Sequence, residues 1–294
     1  MQSLPVGSSV NALGISDNAF TLLRDLIEER LGIFYDNGKR DMLTDKLAQL
    51  MVDYDFQSFL DYYYALKYDA DSGRYWSELM DRLSVPETYF WRQPEQFEVL
   101  ARTILPQHFA ETSRPIRIWS AACCTGEEPL SIAMALARAG YYPSRRVELI
   151  ASDASPAMIA KARCGLYGER SFRNLPADWR ARFFDPVGNK WKVKDELSAG
   201  IEWRVVNLLD AAQVTAVPPA DVVFCRNVLI YFSDAAITRL TAVLSQHMPV
   251  NGKLFIGAAE SLTRLPSHFT LDEIEDAFVY INRRHEREAD GADY

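Results

Sequence analysis

Two adjacent carboxylates in a short loop offer the first chemistry: Ala121-Ala122-Cys123-Cys124-Thr125-Gly126-Glu127-Glu128-Pro129 follows an apolar run and precedes a helical pattern. In a parallel sheet the ligand crevice lies at the carboxyl ends of the strands, where such a loop turns. A pyrophosphate site there would use the glycines of GxGxxG, so that bare backbone amides and the positive helix end hold the phosphates. Only Gly126 is present, and Glu127 and Glu128 would repel a phosphate. The loop suits a ligand carrying positive charge, such as S-adenosylmethionine with its sulfonium and ammonium, and Gly126 would let the backbone approach it. The same carboxylates would equally complement a helix dipole with no ligand. Asp153, 27 residues beyond Gly126, ends the next apolar run. There it accepts hydrogen bonds from ribose hydroxyls or, followed by Ser155-Pro156, caps the next helix. The two loops together favour a nucleoside-bearing cofactor without phosphates.

Positioning these loops requires short strands alternating with helices, and the pattern from residue 94 onward supplies them. Strands are predicted over 117–122, 147–152, 201–206, 222–225 and 254–257, with helices over 94–109, 128–139, 156–163 and 235–246. That succession means a doubly wound, mostly parallel sheet with helices on its faces. Trp191-Lys192-Val193-Lys194 alternates with period two between turn-like Gly188-Asn189 and Ala199-Gly200, predicting a small antiparallel β excursion at about 185–200. Upstream the pattern is helical. Ser16 and Asp17 offer N-cap oxygens, Phe20, Leu23, Leu26, Ile27 and Leu31 share one face, and Gly32 supplies a stop. Further helices are predicted over 41–52, 58–67 and 73–83. The expected organisation is a flexible N-terminus 1–15, an all-helical domain 16–84, an α/β domain 85–282 and a charged, frayed tail 283–294.

With 48% hydrophobic and 24% charged residues, the 294-residue chain has the composition of a folded globular protein. Its net charge of −8 disfavours nucleic acid bound by broad phosphate neutralisation. Its longest apolar stretches are a few residues, short of the roughly 20 that span a bilayer, and no basic-then-apolar leader opens the sequence, so no membrane insertion and a cytoplasmic location are expected. Cys123, Cys124, Cys164 and Cys225 form no CxxC pair or zinc framework with the four histidines, so no metal is expected. A monomer is expected for want of a heptad run.

Four blocks in order make the chain resemble the chemotaxis-receptor glutamate methyltransferases, the CheR family, from about residue 16 to 281. They are Glu87-Thr88-Tyr89-Phe90-Trp91-Arg92 entering the α/β domain; the loop from Trp119 to Pro129; Val206-Asn207-Leu208-Leu209; and Asp221-Val222-Val223-Phe224-Cys225-Arg226-Asn227-Val228-Leu229-Ile230-Tyr231-Phe232. Lys39-Arg40-Asp41-Met42 resembles part of the family's helical domain. The resemblance implies a class I S-adenosylmethionine-dependent methyltransferase fold, Rossmann-like, with a small N-terminal all-helical domain. The implied activity is methyl transfer from S-adenosylmethionine to glutamate side chains on the cytoplasmic helical bundle of chemoreceptors, giving methyl esters and S-adenosylhomocysteine. It places Thr88, Arg92, Glu128 with Glu127 as its alternative, Asp153, Asn207, Leu208, Arg226 and Asn227 at the cofactor, and Arg92 and Tyr231 at the reacting groups.

Departures concern the substrate more than the cofactor. Pro86 stands where many members carry an asparagine that bonds the cofactor. The stretch from Leu43 to Met51, arginine-rich in members serving the major enteric receptors, here has Lys46 as its one basic residue. The β excursion looks shorter than in members that bind a receptor's tethering pentapeptide, so no such tether is expected. Two alternatives remain at this stage: a methyltransferase of another protein or a small acid, and a regulatory module that binds the cofactor with weak turnover.

Overall fold

The computed structural model describes residues 14–284, and within them the chain divides after Val85 into two compact units. The ends predicted to be loose lie almost wholly outside the described residues. The first unit contains α1 (Asp17–Leu31), α2 (Arg40–Asp53), α3 (Phe59–Tyr68) and α4 (Ser72–Leu83). Ser16 Oγ accepts from the Ala19 N–H at 3.2 Å, and Gly32, at φ 76°, ends α1 by donating its N–H to the Glu28 carbonyl. Apolar residues three and four apart put Leu23, Ile27, Leu43, Leu47, Met51, Tyr62 and Leu79 out of contact with solvent. Each such side chain stabilises the fold by roughly 1.5–3 kcal/mol relative to exposure. Tyr231–Ser233 counts with this unit: the Phe34 N–H donates to the Tyr231 carbonyl at 2.8 Å, and Phe232 pairs with Ile33.

In the second unit the helix predicted over 94–109 is α5 (Pro94–Val99), a widened π turn Leu100–Ile104, and α6 (Leu105–Glu111). Pro106 explains the interruption: it has no N–H to donate and its ring would clash with the carbonyl four residues back, which the wider turn relieves. The alternation then runs β1 (Ile116–Ala121), α7 (Glu127–Arg138), β2 (Val147–Asp153), α8 (Pro156–Cys164), β3 (Leu166–Tyr167), α9 (Ala177–Phe183), β4 (Phe184–Val187) and β5 (Lys190–Val193). It continues with α10 (Asp195–Ser198), β6 (Ile201–Val205), α11 (Ala211–Thr215), β7 (Val222–Cys225), α12 (Asp234–His247), β8 (Lys253–Phe255), β9 (Phe269–Ile274) and β10 (Ala277–Asn282).

The main sheet has the order β6-β2-β1-β7-β8-β10-β9, parallel from β6 to β8, with β10 antiparallel to both its neighbours. The hairpin of β9 and β10 was not predicted. Pairing of Ala121 with Ser152 and with Cys225, and of Asp153 with Val205, levels the carboxyl ends of β1, β2, β6 and β7. The chain leaves β1 toward β2 on one side while β7 lies on the other, which opens a crevice at those ends. The expected excursion is a second sheet, β3-β5-β4, with both pairings antiparallel. It is fixed to the segment entering this unit by Phe90, whose ring lies 4.9 Å from Tyr167, 5.1 Å from Phe172 and 5.0 Å from Phe184.

Candidate functional site

The loop leaving β1 is held in an uncommon conformation. Ala122 (φ 63°), Cys124 (φ 52°) and Gly126 (φ 95°) are all left-handed, and strain of this kind, of order 1–3 kcal/mol for a non-glycine residue, clusters at functional sites. Ties to β2 over-determine it: the Cys123 N–H donates to the Ser152 carbonyl at 2.8 Å and the Cys124 N–H to Asp153 Oδ2 at 2.9 Å. The loop glycine has a packing cause besides the one predicted. A Cβ at Gly126 would come within 2.9 Å of Ala162 Cβ and 3.0 Å of both Trp203 and the Tyr167 hydroxyl, so close packing demands glycine there. Burial pushes the Cys124 thiol up to about 12, which makes it a packing group rather than a nucleophile.

The paired carboxylates divide. Glu127 is 3% exposed and accepts from Thr125 Oγ1 at 2.6 Å and Ser171 Oγ at 2.9 Å, pinning the loop to the short turn before α9. Glu128 turns toward the ends of β1 and β7. Its Oε1 accepts from Ser120 Oγ at 2.7 Å, and its Oε2 lies 3.2 Å from the Arg226 guanidinium. Burial pushes both carboxyls above the usual range; for Glu128 the Arg226 charge and the Ser120 bond pull the other way.

Arg226, predicted at the cofactor, has a side chain only 1% exposed. Besides Glu128 it donates to the Arg92 carbonyl at 2.6 Å and to Gln93 Oε1 at 2.7 Å, and it lies 5.0 Å over the Phe97 ring. It therefore ties the end of β7 to the start of α7 and to the turn at residues 91–93. That turn is itself strained, with Trp91 at φ 62° and Gln93 at φ 56°. The Arg92 side chain points elsewhere: it donates to the Glu87 carbonyl at 3.1 Å and sits 5.4 Å over the Tyr89 ring. Thr88 lies half-buried on the extended stretch between them.

At the end of β2 both oxygens of Asp153 accept backbone bonds, from Cys124 and, at 2.9 Å, from the Ser155 N–H. The helix cap is Ser155 itself, which accepts from the Met158 N–H. Asp153 thus fixes the loop geometry instead of capping α8. After β6, Asn207 Oδ1 accepts from the Leu209 N–H at 3.1 Å while its own N–H donates to Gln213, and the Leu208 side chain is 5% exposed. After β7, Asn227 is left-handed (φ 59°) and donates its N–H to Glu260 Oε2 at 2.9 Å.

Glu260 was missed at the sequence level. Its carboxylate also accepts from the N–H groups of Gly257 at 2.6 Å and Ile230 at 3.3 Å, which latches the loop after β7 to the loop after β8. Its position three residues past Gly257, just beyond a strand, was the available signal. Any side chain at Gly257 would collide with the Asn227 amide and the Glu260 carboxylate. Tyr231, predicted at the reacting groups, lies in the short segment that counts with the first unit. The described histidines, 108, 247 and 268, belong to α6, α12 and the loop before β9.

The strand ends thus bring together Glu128, Asp153, Asn207 and Asn227, with Arg226 and Glu260 beneath them as supports. Carboxylates and amides in this number suit hydroxyl, amine and cationic groups and do not form a phosphate cradle, which fits the chemistry of S-adenosylmethionine. Residues 86–278 match the domain described as CheR methyltransferase, SAM binding domain, and residues 18–84 match CheR methyltransferase, all-alpha domain. The chain is 34% identical over 280 residues to chemotaxis protein methyltransferase 2 of Vibrio cholerae, covering 92% of this chain and 95% of that protein. It is 33% identical over 282 residues to the chemotaxis protein methyltransferase of Escherichia coli K12, with coverage of 92% and 95%. It is 31% identical over 269 residues to chemotaxis protein methyltransferase 1 of Pseudomonas aeruginosa, with coverage of 89% and 96%.

Proposed function

The chain belongs to the CheR methyltransferase family, and from that premise we propose that its substrates are glutamate side chains on the cytoplasmic domains of chemoreceptors. It is an S-adenosylmethionine-dependent methyltransferase acting in chemotaxis. No described helix is long and apolar enough to cross a membrane, and a cytoplasmic enzyme meeting the inner portion of its receptor is the reading we adopt. Residues 16–84 and 85–282 are read as its helical and catalytic domains.

The observation that carries the site assignment is the convergence of Glu128, Asp153, Asn207 and Asn227 at the level carboxyl ends of four parallel strands. In this reading Glu128 faces the methionine ammonium while Glu127, buried against Thr125 and Ser171, holds the loop. Asp153 takes the ribose hydroxyls, and Asn207 and Leu208 border the adenine. Arg226 acts from beneath. When bound, S-adenosylmethionine supplies an electrophilic methyl on a sulfonium. A glutamate carboxylate, with an ordinary pKa near ~4.3, is already an ionised nucleophile at neutral pH and needs no general base. Orientation then carries most of the rate, and alignment alone can contribute roughly 7–11 kcal/mol. Arg92 holds the incoming carboxylate by a charge-assisted hydrogen bond, and Tyr231 borders the reacting groups.

Calorimetric titration with S-adenosylmethionine and S-adenosylhomocysteine tests this, on the wild type and on Asp153→Ala and Arg92→Ala. One-to-one binding weakened by Asp153→Ala is expected. Tritiated methyl transferred to a purified receptor signalling domain should then be released by base as methanol. A folded, ligand-free protein that takes up neither compound would overturn the assignment.

A further inference from the structure

Charge is distributed unevenly along this chain. Residues 14–85 carry eight Lys and Arg against fourteen Asp and Glu, and the exposed positions of α2 include Asp41, Asp45 and Asp53. Residues 161–194, which form the small sheet and its flanking turns, carry nine Lys and Arg against three Asp and Glu within a chain of net charge −8. Part of that excess gathers around one exposed carboxylate. Arg173 pairs with Glu87 at 2.7 Å and stacks 3.7 Å over the Tyr89 ring, which Arg92 approaches at 5.4 Å. Arg173, Arg92 and Arg170 all help to hold the Glu87 carboxyl below its usual range. The neighbouring acid, Glu169, is committed to Arg180 at 2.9 Å and to the Trp191 indole at 2.8 Å. Arg173 thus pairs with that carboxylate, Arg92 approaches the same Tyr89 ring, and Arg170 stands exposed on the same short turn as Arg173, beside the residue read above as holding the substrate glutamate.

We propose that Arg170 and Arg173, flanking Arg92 and Tyr89, form an anion-receiving surface that holds the acidic residues neighbouring the methyl-accepting glutamate on its helix. The proposal rests on the functional reading above. The Phe90 ring, packed on Phe172, keeps the two arginine-bearing segments in register, and the Phe90 N–H donates to the Ser171 carbonyl at 2.8 Å. Rim charges of this kind act chiefly on encounter rate and salt dependence. The occupant is an acidic helix, because a substrate glutamate among neutral residues would leave the surplus charge unmatched.

Fluorescence anisotropy of a labelled (Glu-Ala-Ala-Glu)n helix tests the idea, at about 20 residues, beyond the ~12–15 below which isolated helices are marginal. Its Gln-for-Glu twin is the control. Wild-type protein should bind the acidic helix at low salt and the twin hardly at all, and binding should fade as ionic strength rises. Arg170→Glu, at an exposed position, should weaken it roughly fivefold and flatten the salt dependence, and Arg173→Gln should weaken it less. Calorimetric affinity for S-adenosylmethionine should stay at the wild-type value in Arg170→Glu. Equal binding of both helices, or an Arg170→Glu protein that binds like wild type, would overturn the proposal and leave the cofactor assignment standing, because cofactor binding is read separately.

Discussion

The two sides of the crevice are built on different principles. On the β7 side, the buried Arg226 guanidinium joins Glu128, Gln93 and the Arg92 carbonyl, and the half-buried Glu260 gathers N–H groups from two separate loops, those of Asn227 and Ile230 and that of Gly257. On the β2 side, Asp153 and Asn207 use their side-chain oxygens on local backbone turns. The first arrangement sets geometry, and its loss should appear as instability. The second presents acceptors to a ligand, and its loss should appear as weaker binding with a smaller effect on the fold.

Removing Arg226 is the strongest way to break that contrast. Arg226→Ala leaves Glu128 buried with its cationic partner gone, a change that costs about 3–5 kcal/mol. At roughly 2–4 °C per kcal/mol for a domain of this size, calorimetric melting should fall by about 10 °C. An unchanged melting point with lost cofactor binding would mean that the guanidinium serves the ligand directly. Gly126→Ala comes next. The left-handed φ and the collision with Ala162, Trp203 and Tyr167 should cost about 2–3 kcal/mol in denaturant midpoint experiments. A protein of wild-type stability would show that the loop relaxes easily and that the glycine serves ligand approach after all.

Asp153→Ala should separate the two sides. Loss of hydrogen bonds from two ribose hydroxyls to a charged acceptor is expected to weaken S-adenosylmethionine binding about 10- to 100-fold. The free energy of denaturant unfolding should fall by about 1–3 kcal/mol, less than for Arg226→Ala, because of the two backbone donors it leaves the Ser155 N–H is buried and the Cys124 N–H half-buried. A large loss of stability with unchanged affinity would move Asp153 into the same class as Arg226.

How much of this could be read from sequence depended on whether the physical signal was local. The parallel strands were legible because strands buried on both faces are short continuous apolar runs, and Val222–Cys225 agrees residue for residue. The β9 and β10 hairpin was not. Its turn places Glu275 at φ 52° with no Asn-Gly or Asp-Gly pair to announce it, and most of β9 is exposed and carries Asp272 and Glu273. Of the candidate site, the carboxylates of Glu127, Glu128 and Asp153 were proposed from their position at strand ends, whereas the amides of Asn207 and Asn227 entered with the family resemblance. Nothing local distinguishes Glu127 from Glu128, since the partners that divide them, Ser171 and Arg226, lie 44 and 98 residues away in the chain. Arg226 follows a strand that the sequence announces, but that its side chain turns inward depends on Gln93 and Phe97 across the fold.

The smallest expected effect sharpens the division between the neighbouring glutamates. Burial raises the Glu127 carboxyl, so the fold favours its protonated form. The stability that protonation contributes is fully present below the unfolded value near ~4.3 and is lost as pH rises through the raised folded value. Glu127→Gln removes that dependence and keeps an acceptor for Thr125 or Ser171, whose hydroxyls can rotate. Melting followed from pH 4 to pH 7 should therefore show the variant gaining on wild type as pH rises. Its cofactor affinity should stay within about threefold of wild type, less than one hydrogen bond. In Glu128→Gln the ammonium loses its counter-charge and Arg226 its partner, so affinity should fall about tenfold or more. If the two variants exchange these behaviours, Glu127 is the residue that meets the cofactor and Glu128 is a support of the β7 side.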